Sequence, residues 1–205
     1  DLFRGFCELY SIQYGESTAE NGKWVEAPGS ELFNAIKKEL GERDIIAEDL
    51  GFITDNVRKL LSETGFAGMK VFEFAFDSRD TGSKNDYLPH NYIENCVAYT
   101  GTHDNQTLVS WYKTISAAER KMAREYAGED YTSNSKMYKS FIRLVMRSVA
   151  KICIILMQDY LGYDDRCRMN TPSTAGQKWK WRMKTADLTD KLCDEVRCIT
   201  KIYGR

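Results

Sequence analysis

The chain has little proline, little histidine and no excess of one charge. Three Pro and 14 Gly in 205 residues exclude a collagen-like repeat, a Pro-rich linker and extended disorder. Lys plus Arg total 29 against 30 acids, so neither a nucleic-acid face nor a polybasic membrane patch is expected. No stretch approaches the ~20 apolar residues of a membrane span. The two histidines, His90 and His103, are not spaced with cysteine as zinc ligands would be, and none of the six cysteines forms a C-x-x-C pair; no metal site is expected. Cys96 and Cys153 lie in apolar runs, where a thiol behaves as a small hydrophobe. Reduced structural thiols are therefore expected, and with them a cytoplasmic protein. There is also no initiator Met: Asp1 opens the chain without a signal-like segment, as expected if something upstream was removed or if this is a piece of a longer protein.

What is present is the composition of a globular α/β domain, with 42% hydrophobic, 29% charged and 12% aromatic residues. Leu32, Ile36 and Leu40 at four-residue spacing before Gly41 predict a helix over 30–40. A short buried strand is expected at 44–47. A helix follows over 54–64, with Thr54 as N-cap and Gly65 as its stop. Strands are expected at 69–76, 96–100 and 152–157. Helices are expected from the Ser116-Ala-Ala-Glu119 capping box to Gly128, over 136–151 and over 187–202, with a polar loop at 128–135. Strands alternating with helices predict βαβ units and a parallel sheet, in half a (β/α)₈ barrel or a small doubly wound domain.

Three acids stand at the carboxyl ends of apolar runs: Glu48, Asp77 and Asp104. In parallel α/β folds that edge collects chemistry, because the strand-to-helix loops converge there. An acid in such a place is often only a helix cap or a solvated loop residue. Glu48-Asp49 stands apart because it ends a buried-type strand with two charges. Asp104 stands apart because 101–107 holds more polar groups than a cap requires. Most aromatics are expected in the core, with Trp179 and Trp181 the better candidates for an exposed platform. His90 is expected to be structural and His103 to belong to the site.

Several motifs then coincide in order. Phe3-Arg-Gly-Phe6, Thr18-Ala-Glu-Asn-Gly-Lys-Trp24, Ile45-Ile-Ala-Glu-Asp-Leu-Gly51, Gly68-Met-Lys-Val71, Tyr87-Leu-Pro-His-Asn-Tyr92, Tyr99-Thr-Gly-Thr-His-Asp-Asn105, Gln158-Asp159, and Met169-Asn-Thr-Pro172 with Trp179-Lys-Trp-Arg182 resemble the amylomaltase family. These are 4-alpha-glucanotransferases, or disproportionating enzymes, of the α-amylase superfamily. The resemblance implies an α/β fold: the C-terminal half of a (β/α)₈ TIM barrel, strands five to eight with their helices over 1–205. The N-terminal half of the same protein would be absent.

The resemblance also implies roles. Asp1 takes the place of the nucleophile, Glu48 that of the general acid/base and Asp104 that of the transition-state stabiliser. Asp49, Asp77, His103 and Asn170 take the places of groups that contact sugar hydroxyls. Retaining transfer needs one carboxylate to attack the anomeric carbon and one acid to protonate the leaving oxygen, roughly 5–5.5 Å apart. The implied substrates are α-1,4-glucans and maltooligosaccharides, with no cofactor, metal, nucleic acid or membrane. The chain departs from the family at Leu2 (His in the family), Gln106 (an acid), Ser173 (Gly) and Lys178 (Asn). Two expectations follow: the 205 residues alone are inactive, and a non-catalytic or vestigial glucan-binding fragment is the alternative reading.

Overall fold

The computed structural model describes residues 3–51, 53–77, 85–129, 136–176 and 178–205. Asp1 and Leu2 therefore lie outside the described residues, as does most of the polar segment 128–135. The chain divides into two compact units, Asp1–Met69 and Lys70–Arg205.

The first unit begins with a 3₁₀ turn, Phe3–Phe6. An antiparallel hairpin of β1 (Glu8–Ser11) and β2 (Lys23–Glu26) follows. Helix α1 (Gly29–Leu40) matches the expected span and ends at Gly41. Strand β3 is only Ile46–Ala47, shorter than the expected 44–47. It is also not fully buried, since Ile46 is 45% exposed. Helix α2 (Asp55–Thr64) stops at Gly65, whose φ of 68° is a left-handed C-cap that costs glycine nothing. Strand β4 (Ala67–Val71) runs parallel to β3, Ile46 opposite Ala67 and Ala47 opposite Gly68. Phe3, Cys7, Ala47, Val57 and Leu60 form the small core, with Phe33 and Phe66 packed against it.

In the second unit the apolar run expected as a strand over 69–76 breaks at Val71. Phe72–Phe74 is a 3₁₀ turn, which swings Glu73 inward to 8% exposure. Strand β5 (Cys96–Tyr99) is fully internal except at its last residue. It pairs in parallel with β6 (Ile152–Ile154), Val97 opposite Ile152 and Tyr99 opposite Ile154. Helix α3 (Leu108–Thr114) is capped by the Thr107 hydroxyl. Helix α4 (Ala117–Ala127) opens on the expected capping box of Ser116 and Glu119 and ends at Gly128. Helix α5 (Met137–Met146) is shorter than the expected 136–151, because the chain turns before β6. The run expected as a strand over 152–157 is strand only to Ile154 and then enters the single turn α6 (Met157–Tyr160). Helix α7 (Asp190–Ile202) closes the unit, capped by Thr189.

Phe72, Leu108, Trp111, Phe141, Leu144 and Val145 centre the larger core. All six cysteines are free thiols, Cys7 and Cys96 buried. No described helix is long and apolar enough to cross a membrane.

Candidate functional site

In the first unit, Glu48 and Asp49 follow β3 directly. The Glu48 carbonyl accepts the Phe3 N–H at 3.0 Å, and the Asp49 N–H donates to the Ala47 carbonyl at 3.0 Å. The Asp49 carboxylate accepts the Met69 N–H at 2.6 Å. Gly68 makes room for it: a Cβ there would stand 2.6 Å from Asp49 Oδ2. The end of β3 thus turns one acid toward β4 and leaves Glu48 half-buried. Elsewhere in this unit the Arg4 guanidinium stacks 3.9 Å from the centre of the Trp24 ring.

In the second unit, the segment after β5 is a tight polar turn. Asn105 Oδ1 accepts the Thr102 backbone N–H at 2.9 Å and its hydroxyl at 2.7 Å. Thr102 Oγ1 accepts the Asp104 N–H at 3.2 Å. These side-chain-to-backbone bonds are what Thr and Asn supply where a helix or ladder is not formed. The turn projects His103 and Asp104 into solvent, with His103 Nε2 3.4 Å from Asp104 Oδ1.

The segment after α6 closes on this turn. Asn170 Nδ2 donates to Asp104 Oδ1 at 2.5 Å, and the Asn170 N–H donates to the His103 carbonyl at 3.1 Å. Arg168 donates to the carbonyls of Asp104 at 2.6 Å and Asn170 at 2.8 Å. The Trp179 ring lies over the His103 imidazole, centroids 4.8 Å apart, and is 49% exposed. Trp179 holds a left-handed φ of 60° and Ser173 a φ of 59°. Both are positions where glycine carries no steric cost. Of the residues singled out in sequence, the structure brings His103, Asp104, Asn170 and Trp179 together. Asp77 follows the turn at Phe76 and is half-buried.

Beneath the turn lies a layer that motif reading missed. Asp159, fully buried, accepts the Thr100 hydroxyl at 2.6 Å and the Leu108 N–H at 2.8 Å. Burial pushes its carboxyl up to about 6, against those two bonds. Asp165 accepts the Thr107 N–H at 3.0 Å and the Gln106 amide at 2.8 Å. Gln106 Oε1 also accepts from the Thr114 hydroxyl at 2.8 Å. The amide is thus suited to its place, where an acid would face Asp165 with like charge. Glu73 is pushed well above the usual carboxylate range by burial and by Asp159, opposed by its bond with Asn105. Gln158-Asp159 carried only a resemblance, and Glu73 no signal at all.

His90 is bound away from this place: its N–H and Nδ1 both meet the Tyr126 hydroxyl, the latter at 2.9 Å. Among the described residues no group of His, Cys, Asp and Glu is arranged to hold a metal ion.

The family model described as 4-alpha-glucanotransferase matches residues 1–189. The 4-alpha-glucanotransferases of Clostridium butyricum and Synechocystis are each 46% identical over the whole chain. The chain spans 41% and 40% of their respective lengths. Amylomaltase from Streptococcus agalactiae, solved in complex with acarbose, superposes with a TM-score of 0.92 at 39% identity. It covers all of this chain with 41% of its own.

Proposed function

The chain belongs to the 4-alpha-glucanotransferase family, and from that we propose that it supplies part of the catalytic site of an α-1,4-glucan-transferring enzyme. The parallel pairing of β3 with β4 and of β5 with β6 is consistent with these residues being strands five to eight of a (β/α)₈ barrel. The rest of that barrel would come from the remainder of the protein. Substrates in this reading are maltooligosaccharides and longer α-1,4-glucans. A cytoplasmic location goes with six free thiols.

The observation that carries the reading is the exposed Asp104 carboxylate. It is held from one side by Asn170 and flanked by His103 and Trp179. A fixed negative charge beside an exposed aromatic face suits a sugar ring that gains positive charge at its anomeric carbon. In this assignment Asp104 stabilises that charge, while His103 and Asn170 hold hydroxyls. Glu48 protonates the leaving oxygen and then takes a proton from the 4-hydroxyl of the acceptor. Asp49, fixed by the Met69 N–H, orients a neighbouring hydroxyl, and Asp77 does likewise. Asp1 attacks the anomeric carbon, giving a covalent glucosyl intermediate that an acceptor glucan opens with overall retention.

The test uses the intact protein that contains these residues and follows glucose release from maltotriose. Glu48→Gln and Asp104→Asn are each expected to lower kcat by about 10²–10⁴-fold. Unchanged transfer in either variant overturns that residue's assignment. Retained binding of maltooligosaccharide with no transfer by the unsubstituted protein would favour a glucan-binding role instead.

A further inference from the structure

Arg168 directly follows a 3₁₀ turn, Asp165–Cys167, and its side chain is only 19% exposed. It spends its donors on the backbone: Nη2 donates to the Asp104 carbonyl at 2.6 Å and Nε to the Asn170 carbonyl at 2.8 Å. The remaining nitrogen, Nη1, stands 3.8 Å from Asp165 Oδ2. Asp165 is itself held, by the Thr107 N–H, by the Gln106 amide and through its own N–H, which donates to the Ser110 hydroxyl at 2.9 Å. A guanidinium is a flat, rigid fork, so bonds from two of its nitrogens fix the spacing of the two carbonyls.

Those carbonyls belong to the two residues whose side chains meet. Asn170 Nδ2 donates to Asp104 Oδ1 at 2.5 Å. Asn170 Oδ1 is buried and has no hydrogen-bond partner among the described residues, so no second side-chain bond sets the direction of that amide. Its place is set by its backbone, with the N–H on the His103 carbonyl and the carbonyl on Arg168. Asp104 is held in the same way, with its N–H on Thr102 Oγ1 and its carbonyl on Arg168. Its Oδ1 faces Asn170 and His103, which leaves Oδ2 as the oxygen open to a sugar ring.

We propose that Arg168 is a positioning residue: by joining the carbonyls of Asp104 and Asn170 it fixes the side-chain bond between them, and so the direction in which Asp104 presents Oδ2. The proposal rests on the reading of Asp104 given above. Arg168 needs no contact with substrate for this, since its donors are turned to the protein. Lysine keeps the charge but gathers its donors on one nitrogen, which does not span both carbonyls as the fork does. With the span lost, the Asn170 amide no longer holds the carboxylate in one direction. A displacement of about 1 Å in a reacting group is enough to cost ~10²-fold in rate.

The experiment measures kcat and KM for maltotriose in the intact protein carrying Arg168→Lys, Arg168→Met, Asn170→Ala or Arg168→Lys with Asn170→Ala, beside Asp104→Asn. Arg168→Lys is expected to lower kcat about tenfold and Arg168→Met roughly 10–100-fold, each with KM within about twofold of the original. Where Asn170→Ala is already present, Arg168→Lys should cost less than about threefold more, because the pair it fixes is gone. A role in folding alone would give the same factor in both backgrounds. If Arg168→Met does not fold, Arg168→Lys and its pairing with Asn170→Ala carry the test. Full kcat in Arg168→Lys, an equal loss in both backgrounds, or a raised KM at full kcat, which would put the guanidinium on the substrate, each overturns the positioning role alone while Asp104→Asn is inactive. Full transfer in Asp104→Asn overturns the site reading itself.

Discussion

The two units hold their acids by different means. In Asp1–Met69, Glu48 and Asp49 hang from a two-residue strand; the Phe3 N–H bonds the Glu48 backbone carbonyl, and the Met69 N–H bonds the Asp49 carboxylate. Five buried apolar residues stand behind them. In Lys70–Arg205, Asp104 rests on a side-chain network of Asn170, Arg168, Thr102 and Asn105, and nineteen buried residues lie beneath. In the first unit the support is main chain at a short edge; in the second it is interlocked side chains over a large core. Preorganisation of this second kind resists small perturbations, because each group is oriented by more than one neighbour.

The sharpest way to break that contrast is to cut into each core. Phe141→Ala is expected to destabilise the intact protein by about 3–5 kcal/mol. Leu60→Ala borders a cleft of about 300 Å³ that Phe33, Lys37, Arg43 and Glu63 also line. Its surroundings can relax, so a loss of about 2–3 kcal/mol is expected there. Equal losses in denaturant midpoint would remove the distinction between a deep core and a shallow one.

The next effect is a pH dependence confined to the second unit. Asp159 has a folded pKa near 6 against an ordinary 3.8. Between those values the native state binds more protons than the unfolded state. The carboxyl therefore contributes stability fully below pH 4, and that contribution is lost as the pH rises through about 6. The difference corresponds to about 3 kcal/mol. Asp159→Asn should flatten this part of the stability curve, read as denaturant midpoints at pH 4.5 and 7. An unchanged slope would mean that Asp159 is not the group responsible.

The smallest effect concerns helix starts. Ser116 and Glu119 form both bonds of a capping box on α4, whereas Thr54 makes no side-chain cap bond on α2. Ser116→Ala is expected to cost about 1 kcal/mol and Thr54→Ala less than about 0.5 kcal/mol. Comparable shifts in thermal midpoint would show that sequence-like caps act alike in both units.

That pair also shows what could be read from the sequence. The helices α1, α2, α4 and α7 were legible because apolar spacing and stop signals agreed: Gly41, Gly65 and Gly128 end three of them. The polar turn at 101–107 was legible because its residues exceed what a cap needs. The β1–β2 hairpin was not, since most of its residues face solvent and leave no alternation. The run 69–76 was misread because a continuous apolar stretch carries no period. Only the 3₁₀ turn at Phe72–Phe74, set by tertiary packing, decides that Glu73 points inward. Asp165 and Arg168 look like ordinary surface charges until the segment after α6 folds back on the turn.

The single carboxylate of Asp159 bonds both the residue that leaves β5 and the first residue of α3. It closes a loop from a third segment, much as a clasp holds the two ends of a bracelet. The ends of 101–107 are thereby independent of what lies between them. Lengthening a seven-residue span by three residues costs only about 0.3 kcal/mol of closure entropy. The surface that carries His103 and Asp104 can therefore be recut by insertion, in evolution or by design, while the clasp keeps strand and helix in register.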